Sequence, residues 1–410
     1  MRGIDGRQRS GKASNIVTNQ TIWKEADGMK ITKVATYTPS EVVERGGQTY
    51  VQPLTLVQID TDEGISGVGE GTLETKERTV AACIMEFERY LLGKDPLQIE
   101  KHWQAMYRGT YWRGGPIINS AISAVEIALW DIAGKHYNAP IYDLLGGRCR
   151  DKVKCYTGVG GSTPEELAEN VERAMKAGYP AVKFGAYGEN DRMLDAVEEA
   201  ERRCRAVRDR VGDKMDIMIE CHGRPSLQIV LNLVQSLAKY KPLWIEEPLF
   251  PENVDAMAEL CRHSQIPIAT GERLFTKWGF RELFEKRAAH IVQPDPAHCG
   301  GVLETKKIAA MAEAYYVQVA PHCPYFQVAL ATAVQIDACT PSFLIQEGGG
   351  LRGKWLVKNP LEVENGYIKL PDKPGLGVEL DLDAIAERPY RPRVPEAYMT
   401  YREDGSIEEL

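Results

Sequence analysis

Three glutamates recur along the chain at one interval, each at the end of a short apolar run. They are Glu220, Glu246 and Glu272, and neighbouring members are 26 residues apart. One strand followed by one helix takes about this many residues, so the three carboxylates would lie side by side at the ends of neighbouring parallel strands. Like charges that close repel one another unless a cation neutralises them. The spacing therefore indicates a hard divalent cation with oxygen ligands, Mg²⁺ first, rather than three solvated loop residues.

An aspartate and a histidine follow two later strands of the same predicted series. Asp295 comes after the sixth strand and His322 after the seventh. On neighbouring strands such a pair can form a hydrogen bond in which the carboxylate orients the imidazole and raises its basicity. A second histidine, His222, stands two residues after Glu220, so the alternation of a strand would point both side chains into one cavity. Two more charged residues occupy strand positions of a similar kind, and they are Lys183 and Glu347.

The elements that must position these residues form a regular series from residue 152 onward. Short apolar runs alternate with amphipathic helical patterns, as expected for strands and helices in turn. The eight runs are Val153–Val159, Ala181–Phe184, Met215–Glu220, Leu243–Glu246, Ile266–Thr270, His290–Val292, Val317–Ala320 and Phe343–Ile345. Eight strands in about 200 residues fit a (β/α)8-type barrel, in which polar residues at the C-terminal strand ends line the active site. A doubly wound sheet is the alternative, but no Gly-x-Gly-x-x-Gly motif follows the first strand.

The segments on either side of the barrel differ from it in pattern. Residues 29–148 begin as strands and continue as helices, which indicates an α+β domain that caps a barrel at residues 149–350. Residues 351–410 contain short strands, turns rich in proline and glycine and a charged tail, and we expect them to pack on the cap. Residues 1–28 contain no apolar run, so they indicate a polar extension rather than a secretory signal. The predicted fold class is α/β, a (β/α)8-type barrel with an N-terminal α+β capping domain completed by the C-terminal segment.

Composition excludes several classes of protein. The 410 residues carry 50 basic and 58 acidic side chains, a net charge of −8, which is not the strongly basic balance of a nucleic-acid-binding domain. The nine cysteines include no Cys-x-x-Cys pair, which favours reduced thiols in a cytoplasmic protein over a disulfide framework or a structural zinc site. The uncharged stretch from Ala314 to Ile336 contains two prolines, a histidine and three glutamines, so it predicts a buried strand and the start of a helix. No nucleic-acid or membrane partner is therefore expected.

The order of these residues along the chain carries a resemblance. A lysine, three metal-ligand acids, the Asp–His pair and a final glutamate form a pattern that resembles the enolase superfamily, mandelate racemase subgroup. Within that subgroup the chain is similar to sugar-acid dehydratases of the galactonate and gluconate type, over roughly residues 30–400. The shared stretches are Tyr111-Trp112-Arg113-Gly114-Gly115-Pro116, Ala128-Leu129-Trp130-Asp131, His222-Gly223-Arg224, Gly271-Glu272-Arg273-Leu274, Gln293-Pro294-Asp295, His322-Cys323-Pro324 and Pro374-Gly375-Leu376-Gly377-Val378.

The resemblance implies a Mg²⁺-dependent dehydratase of a small-molecule sugar acid, an aldonate such as gluconate or galactonate, that gives a 2-keto-3-deoxy acid through an enediolate. The implied Mg²⁺ ligands are Glu220, Glu246 and Glu272. His322, oriented by Asp295, would be the general base, and His222 would be the acid for the leaving hydroxyl. Lys183 would lie near the substrate carboxylate. Glu347 in its protonated form would hydrogen-bond that carboxylate and stabilise the enediolate. A homo-oligomer is also expected.

Three further residues are expected to bind the substrate, and they are Trp112, Arg113 and Arg224. The first two lie between Gly109 and Gly114. Glycines at both ends of a short loop would let it move, so we interpret the loop as a lid that contacts the distal hydroxyls, with a plain turn as the alternative.

The chain departs from the galactonate pattern in two places. Glu220 stands where that pattern has Asp, and Pro324-Tyr325-Phe326-Gln327 also differs. Gluconate-type relatives carry Glu at the first position, so the departures bear on the sugar rather than on the metal. Gly185 replaces the second lysine of the Lys-x-Lys that racemases and cycloisomerases of this fold carry. Two other functions stay open: an epimerase or racemase with His322 and His222 as opposed bases, and a non-catalytic metabolite-binding relative.

Overall fold

The structure is a computed structural model, and it describes six stretches of the chain. These are residues 28–45, 48–187, 193–348, 351–393, 400–401 and 404–408. The polar extension expected at residues 1–28 lies outside them except for its last residue. Every residue that the sequence singles out for metal binding, catalysis or substrate binding falls inside them.

The N-terminal part of the described chain is an α+β domain, the cap. Its strands are β1 (Ile31–Tyr37), β2 (Ser40–Arg45), β3 (Gln48–Pro53), β4 (Leu56–Thr61) and β5 (Ser66–Glu70). Its helices are α1 (Glu77–Leu91), α2 (Ile99–Arg108), α3 (Gly115–His136) and α4 (Ile141–Leu144). β1, β4 and β5 form an antiparallel sheet, and β2 pairs with β3 as a hairpin.

The long helix α3 is the centre of the cap. It lies so close to β5 that a Cβ on Gly67 would be 2.0 Å from the carbonyl oxygen of Ala128, so only glycine fits where strand and helix cross. Its apolar residues share one buried core with β1, β4 and α1. Among the described residues α3 is the one helix long and apolar enough to cross a membrane, and 83% of its most apolar window is buried inside the fold.

Eight parallel strands follow and close into a barrel. They are β6 (Lys152–Gly158), β7 (Ala181–Gly185), β8 (Asp216–Glu220), β9 (Trp244–Glu246), β10 (Ile268–Thr270), β11 (Ile291–Val292), β12 (Gln318–Val319) and β13 (Gln346–Glu347). Within the described stretches the helices between them are α5 (Pro164–Lys176), α6 (Met193–Val211), α7 (Leu227–Leu237), α8 (Val254–His263), α9 (Thr276–Lys286), α10 (Val302–Ala314) and α11 (Gln327–Ala338), and a 3₁₀ helix (Ala238–Tyr240) follows α7. Each strand from β6 to β12 pairs with the next, and β13 pairs with β6. The predicted barrel is confirmed.

The eighth apolar run behaves differently from its prediction. The sequence predicts a strand over Phe343–Ile345, whereas the parallel pairing with β6 involves Gln346 and Glu347. Phe343 itself bridges to Val319 of β12. The segment from Phe343 to Glu347 therefore contacts β12 at its start and β6 at its end. It closes the barrel between these two strands.

The C-terminal segment contacts both the barrel and the cap. It contains a 3₁₀ helix (Lys354–Leu356), β14 (Val363–Glu364), β15 (Tyr367–Lys369), α12 (Leu382–Ala386), β16 (Thr400–Tyr401) and β17 (Ile407–Glu408). β15 pairs antiparallel with β6. The backbone N–H of Leu376 donates to the buried Asp131 side chain of α3 at 2.8 Å, and Ser40 Oγ of β2 donates to the carbonyl oxygen of Arg391 at 3.0 Å. The segment thus joins the N-terminal domain to the first barrel strand.

Two buried glutamates of the cap bind the starts of two barrel helices. Glu70 accepts hydrogen bonds from the backbone N–H groups of Phe326 at 3.3 Å and Ala329 at 2.9 Å, where α11 begins. Glu126 accepts them from Val302 at 2.7 Å and Leu303 at 3.0 Å, where α10 begins. The first N–H groups of a helix lack partners within it, and acidic groups are favourable at its positive end. These contacts hold the cap in register with the loops that follow β11 and β12.

The substitution Glu126→Ala is expected to destabilise the protein, because it leaves the buried N–H group of Val302 and the half-buried one of Leu303 without their acceptor. Such a loss costs about 1–3 kcal/mol. Thermal unfolding measures it as a lower midpoint. The control is Glu313→Ala, an exposed position late in α10, which should change stability by less than about 0.5 kcal/mol. Equal midpoints for the two variants would contradict the capping role of Glu126.

Candidate active site

The three glutamates of the regular interval come together at the C-terminal ends of the barrel strands. Glu220 ends β8 and Glu246 ends β9, and the parallel register places the two opposite each other. Glu272 lies two residues beyond the end of β10. One carboxylate oxygen of each lies within 4.8 Å of the others. The structure thus brings together the acid cluster that the spacing predicts.

The acid cluster is crowded and removed from water. Glu246 is fully buried, with Trp244 Nε1 donating to its Oε2 at 2.8 Å. Burial, and then the charge of Glu220, raise the pKa of Glu246 to about 7. Burial and neighbouring acids, Glu247 among them, likewise raise the pKa of Glu272 well above its usual value, against the opposing effect of His322. The carboxyl groups therefore resist simultaneous ionisation unless more positive charge is present.

One ammonium group serves several of these acids. Lys183 Nζ forms ion pairs with Glu246, with Glu347 at 3.1 Å and with Glu220 at 3.2 Å. Burial opposes its charge, but Glu246 and Glu347 raise the pKa of Lys183 well above its usual value. Lys183 is the cation that pairs with Glu220 Oε2, and that contact lacks hydrogen-bond geometry. An all-oxygen cluster with too little positive charge fits a hard divalent cation, for which Glu220, Glu246 and Glu272 would be the ligands.

The predicted Asp–His pair is formed across β11 and β12. His322 Nδ1 lies 2.7 Å from Asp295 Oδ2, and the other oxygen of Asp295 accepts from the N–H of Ala297 at 2.7 Å. His322 Nε2 points to the acid cluster and lies 3.6 Å from Glu272 Oε2. Burial would lower the pKa of His322, but Glu272 and the bond to Asp295 raise it well above its usual value. Neutralisation of Glu272 by a bound cation would favour the neutral ring, which can accept a proton at Nε2.

The charge state of Glu347 differs from the expectation. Its Oε2 accepts from the N–H of Cys323 at 3.1 Å. Burial would raise the pKa of Glu347, but Lys183, His322 and the Cys323 N–H lower it to about 2. This arrangement of protein groups alone favours the ionised carboxylate over the protonated Glu347 that the sequence suggested. A negative Glu347 can orient Lys183 instead.

His222 reaches the acid cluster by a route that strand alternation does not describe. β8 ends at Glu220, and His222 takes a left-handed conformation with φ 50°, because the chain turns there and the N–H of Gly223 bonds to the carbonyl oxygen of Glu247 at 2.6 Å. The ring Nε2 is nevertheless 3.8 Å from Glu220 Oε1, with 56% of the side chain exposed. Partial burial, and then the charges of Lys183 and Arg224, lower the pKa of His222 to about 4. An anionic molecule bound beside the ring would be needed to restore its proton.

The three residues expected to bind substrate occupy different surroundings. The charge of Arg224 acts on His222, and its buried Nε has no hydrogen-bond partner. Trp112 is 79% exposed on the loop between α2 and α3. Arg113 of the same loop lines a surface cavity with Tyr107, Arg108 and Trp278. The structure places Arg224 at the site, while the lid role of the loop stays a prediction.

Glu247 was not singled out from the sequence, although the structure gives it a clear role. It is fully buried and binds Arg273 Nη2 at 2.6 Å and Nε at 2.9 Å, and it accepts from the N–H of Gly271 at 3.0 Å. These bonds hold the turn that carries Glu272. The sequence offered one signal for this role. Glu247 directly follows Glu246, and a buried acid needs a positive partner, which Arg273 of Gly271-Glu272-Arg273 supplies.

Comparison with known families and proteins agrees with this geometry. Two family models match the chain, the mandelate racemase / muconate lactonizing enzyme N-terminal domain over residues 29–146 and the enolase C-terminal domain-like family over residues 166–384. A D-galactonate dehydratase of Variovorax paradoxus (strain S110) is 38% identical over 393 residues, which cover 93% of this chain and 100% of that protein. A D-galactonate dehydratase of Ralstonia pickettii (strain 12J) is 39% identical over 345 residues, 81% of this chain and 90% of that protein.

Solved structures with the same architecture are also similar. An enolase from Agrobacterium radiobacter, bound to Na and L-malate, has a TM-score of 0.84 and 30% identity, with 93% of this chain and 100% of that chain covered. A proposed dehydratase from Mesorhizobium loti has a TM-score of 0.81 and 35% identity, with 88% and 99% covered. The predicted fold class is confirmed by these neighbours, and the expectation of an enzyme of the lyase class is confirmed by the curated relatives.

The substitution Glu246→Gln is expected to abolish divalent-cation binding while the protein stays folded, because it removes one charged ligand from the centre of the acid cluster. Thermal unfolding with and without Mg²⁺ measures this. An ion that binds the native state stabilises it by about 2.7 kcal/mol at 100 times its Kd. Mg²⁺ should raise the midpoint of the wild type and of the control Glu259→Gln, an exposed position on α8. The same rise in Glu246→Gln would refute the assignment of this ligand.

Proposed function

This chain belongs to the mandelate racemase and muconate lactonizing enzyme family of the enolase superfamily, and we propose that it is a Mg²⁺-dependent dehydratase of a sugar acid. The substrate is an aldonate such as gluconate or galactonate, and the product is a 2-keto-3-deoxy acid formed through an enediolate. The observation that carries the proposal is the placement of the histidines: His322 Nε2 is 3.6 Å from Glu272 and His222 Nε2 is 3.8 Å from Glu220. The two imidazoles thus approach the same acid cluster, one beside Glu272 and the other beside Glu220. A base and an acid that act on one bound molecule need such an arrangement.

Proton abstraction is the first half of the proposed reaction. The C2 proton of a sugar acid is weakly acidic, because its removal adds a second negative charge to an anion. A bound Mg²⁺ would supply positive charge beside the carboxylate as that second charge develops. His322 takes the proton at Nε2, since Asp295 holds Nδ1 at 2.7 Å and stabilises the imidazolium that results. Lys183, ion-paired to Glu347 at 3.1 Å, lies where it can pair with the substrate carboxylate.

Loss of the hydroxyl is the second half. His222 donates a proton to the C3 hydroxyl as the C–O bond breaks, so that water leaves and an enol remains, which tautomerises to the 2-keto acid. The pKa of His222 is about 4 in the arrangement described, so the ring acquires its proton together with the anionic substrate. Arg224, whose buried Nε has no hydrogen-bond partner, supports this step by binding substrate oxygens beside the ring.

A second function, epimerisation of the same substrates, is favoured by one observation. The lowered pKa of His222, about 4, leaves its ring without a proton in this arrangement of protein groups alone, so it offers a second base, although a weaker one than His322. An epimerase would use the two rings as opposed bases and would form no keto acid. The non-catalytic alternative gains no comparable support, since the lysine, the acids and both histidines are all present at the site.

Screening acid sugars with Mg²⁺ tests the proposed reaction directly. We expect the wild type to convert at least one aldonate to a 2-keto acid, detected as its semicarbazone. The His322→Asn variant is the matched blank and should form this product more slowly. Exchange of the C2 proton with D₂O without keto acid would support the epimerase instead. Neither product from any acid sugar would contradict both enzymatic functions.

The two histidine variants are expected to separate the two halves of the reaction. His222→Asn should exchange the C2 proton with D₂O without forming keto acid, because its base still makes the enediolate while the hydroxyl cannot leave. His322→Asn should do neither. A general acid or base contributes about 10²–10⁴-fold, which a steady-state assay with NMR detection resolves. If His322→Asn exchanges the proton and His222→Asn does not, the roles are reversed, and unaltered turnover in both would contradict the mechanism.

The substitution Arg113→Ala is expected to lower kcat/KM by about 10- to 100-fold, which is the worth of one charge-assisted hydrogen bond to a distal hydroxyl. The thermal midpoint should stay unchanged, since the residue lies on a loop with an exposed neighbour, Trp112. Steady-state kinetics and thermal unfolding measure the two quantities. Arg262→Ala, an exposed position in α8, is the control. An Arg113→Ala protein that unfolds would assign the loop a structural role.

A further inference from the structure

Two residues outside the proposed catalytic set link the Asp–His pair to the cap. His298 Nε2 lies 2.8 Å from the Tyr325 hydroxyl, and His298 Nδ1 lies 2.7 Å from Ser120 Oγ of α3. The Tyr325 hydroxyl is 3.0 Å from Glu74 Oε2, between β5 and α1. The hydrogen-bonded chain therefore starts and ends on the cap and passes through the barrel loops after β11 and β12. We call these four residues the cap-to-base chain.

The Tyr325 hydroxyl has one consistent direction within the cap-to-base chain. Each hydroxyl has one proton to donate. Glu74 offers an acceptor, so Tyr325 donates to it and accepts from Nε2–H of His298. The single Ser120 hydroxyl proton has two acceptors within reach, the carbonyl oxygen of Pro116 at 2.6 Å and His298 Nδ1 at 2.7 Å. Burial, and then the charge of Glu74, raise the pKa of Tyr325 well above its usual value, which keeps the donor proton in place.

The ring of Tyr325 stands between two imidazoles. It is perpendicular to His298, with centroids 5.1 Å apart at 86°, and to His322, with centroids 6.0 Å apart at 89°. His298 also contacts Asp295, the hydrogen-bond partner of His322. The backbone N–H of His298 donates to the carbonyl oxygen of Asp295 at 3.0 Å, and the ring Nε2 of His298 lies 4.0 Å from Asp295 Oδ2. A shift of the Tyr325 ring would therefore change the packing around His322 directly and around Asp295 through His298.

We propose that Tyr325, held between His298 and Glu74, is a positioning residue that sets the orientation of His322 and makes it depend on the seating of the cap. The inference rests on the proposed function, because the role of His322 as the general base is part of that function. Tyr325 belongs to the stretch in which this chain departs from the galactonate pattern. It does not transfer a proton itself in this proposal, and its hydroxyl acts by fixing the ring.

Kinetics of Tyr325→Phe test the positioning role, because this variant keeps the ring and loses the two hydrogen bonds. We expect kcat to fall by about 10- to 100-fold, as for a misplaced catalytic group, with KM changed by less than about twofold. Glu74→Ala should give the same pattern, and Glu74→Gln, which keeps an acceptor oxygen, should recover most of the rate. The double variant Tyr325→Phe with Glu74→Ala should be no slower than the slower single variant, since both break one chain.

The control is Tyr142→Phe, which also removes a buried tyrosine hydroxyl, here one that donates to the carbonyl oxygen of Pro371 at 3.1 Å. It should lower the thermal midpoint about as much as Tyr325→Phe and leave kcat unchanged. If kcat of Tyr325→Phe equals that of Tyr142→Phe, or if KM alone changes, the positioning role is refuted.

Histidine NMR tests the link without any turnover. The chain has seven histidines, so ring signals labelled with ¹³C are few, and His298→Asn and His322→Asn assign the two that matter. Glu74→Ala, on the cap, should shift the ring signals of both His298 and His322, and Tyr142→Phe should shift neither. An unmoved His322 signal overturns the inference. A wild type that is inactive on every acid sugar while Glu74→Ala still moves His322 refutes the dehydratase function and supports the link from the cap to His322.

Discussion

An excess of buried negative charge at the barrel mouth is the constraint on which the rest of the site depends. One ammonium, that of Lys183, is shared by Glu220, Glu246 and Glu347. The parallel register holds Glu220 opposite Glu246 in spite of their repulsion, because the backbone ladder decides where each side chain begins. The barrel thus supplies the rigidity that keeps like charges together. A divalent cation would relieve the repulsion, so its affinity is built into the strand pairing rather than into any single ligand.

The cap holds the backbone of the two barrel loops that follow β11 and β12. The loop after β11, which carries Asp295, is held at Gly300, whose N–H donates to Ser123 Oγ at 2.9 Å and whose carbonyl oxygen accepts from Trp103 Nε1 at 2.9 Å. The start of α11, five residues beyond His322, is held by Glu70. The two members of the Asp–His pair therefore sit on loops whose positions are set jointly by two domains, and a small movement of the cap reaches both.

Features that depend on short stretches of chain could be predicted from the sequence, and features that depend on distant segments could not. The interval between Glu220, Glu246 and Glu272 predicts their convergence, because one strand–helix unit has a nearly constant length. The left-handed turn at His222 could not be seen, since it depends on a bond between Gly223 and Glu247. The charge state of Glu347 depends on Lys183 and His322, which arrive from two other strands. His298 and Ser120 are hydrogen-bond partners 178 residues apart, and no local pattern in the sequence indicates such a contact.

The capping of α10 and α11 by Glu126 and Glu70 has a consequence for engineering by domain exchange. A barrel that receives the cap of a relative would also receive that relative's acids at both helix starts, and the N–H groups of Val302 and Ala329 would need them at the same depth and angle. The cap is therefore not an interchangeable module that can be grafted on its own. Chimeras of this scaffold should place their junctions so that each acid and the helix it caps come from one parent.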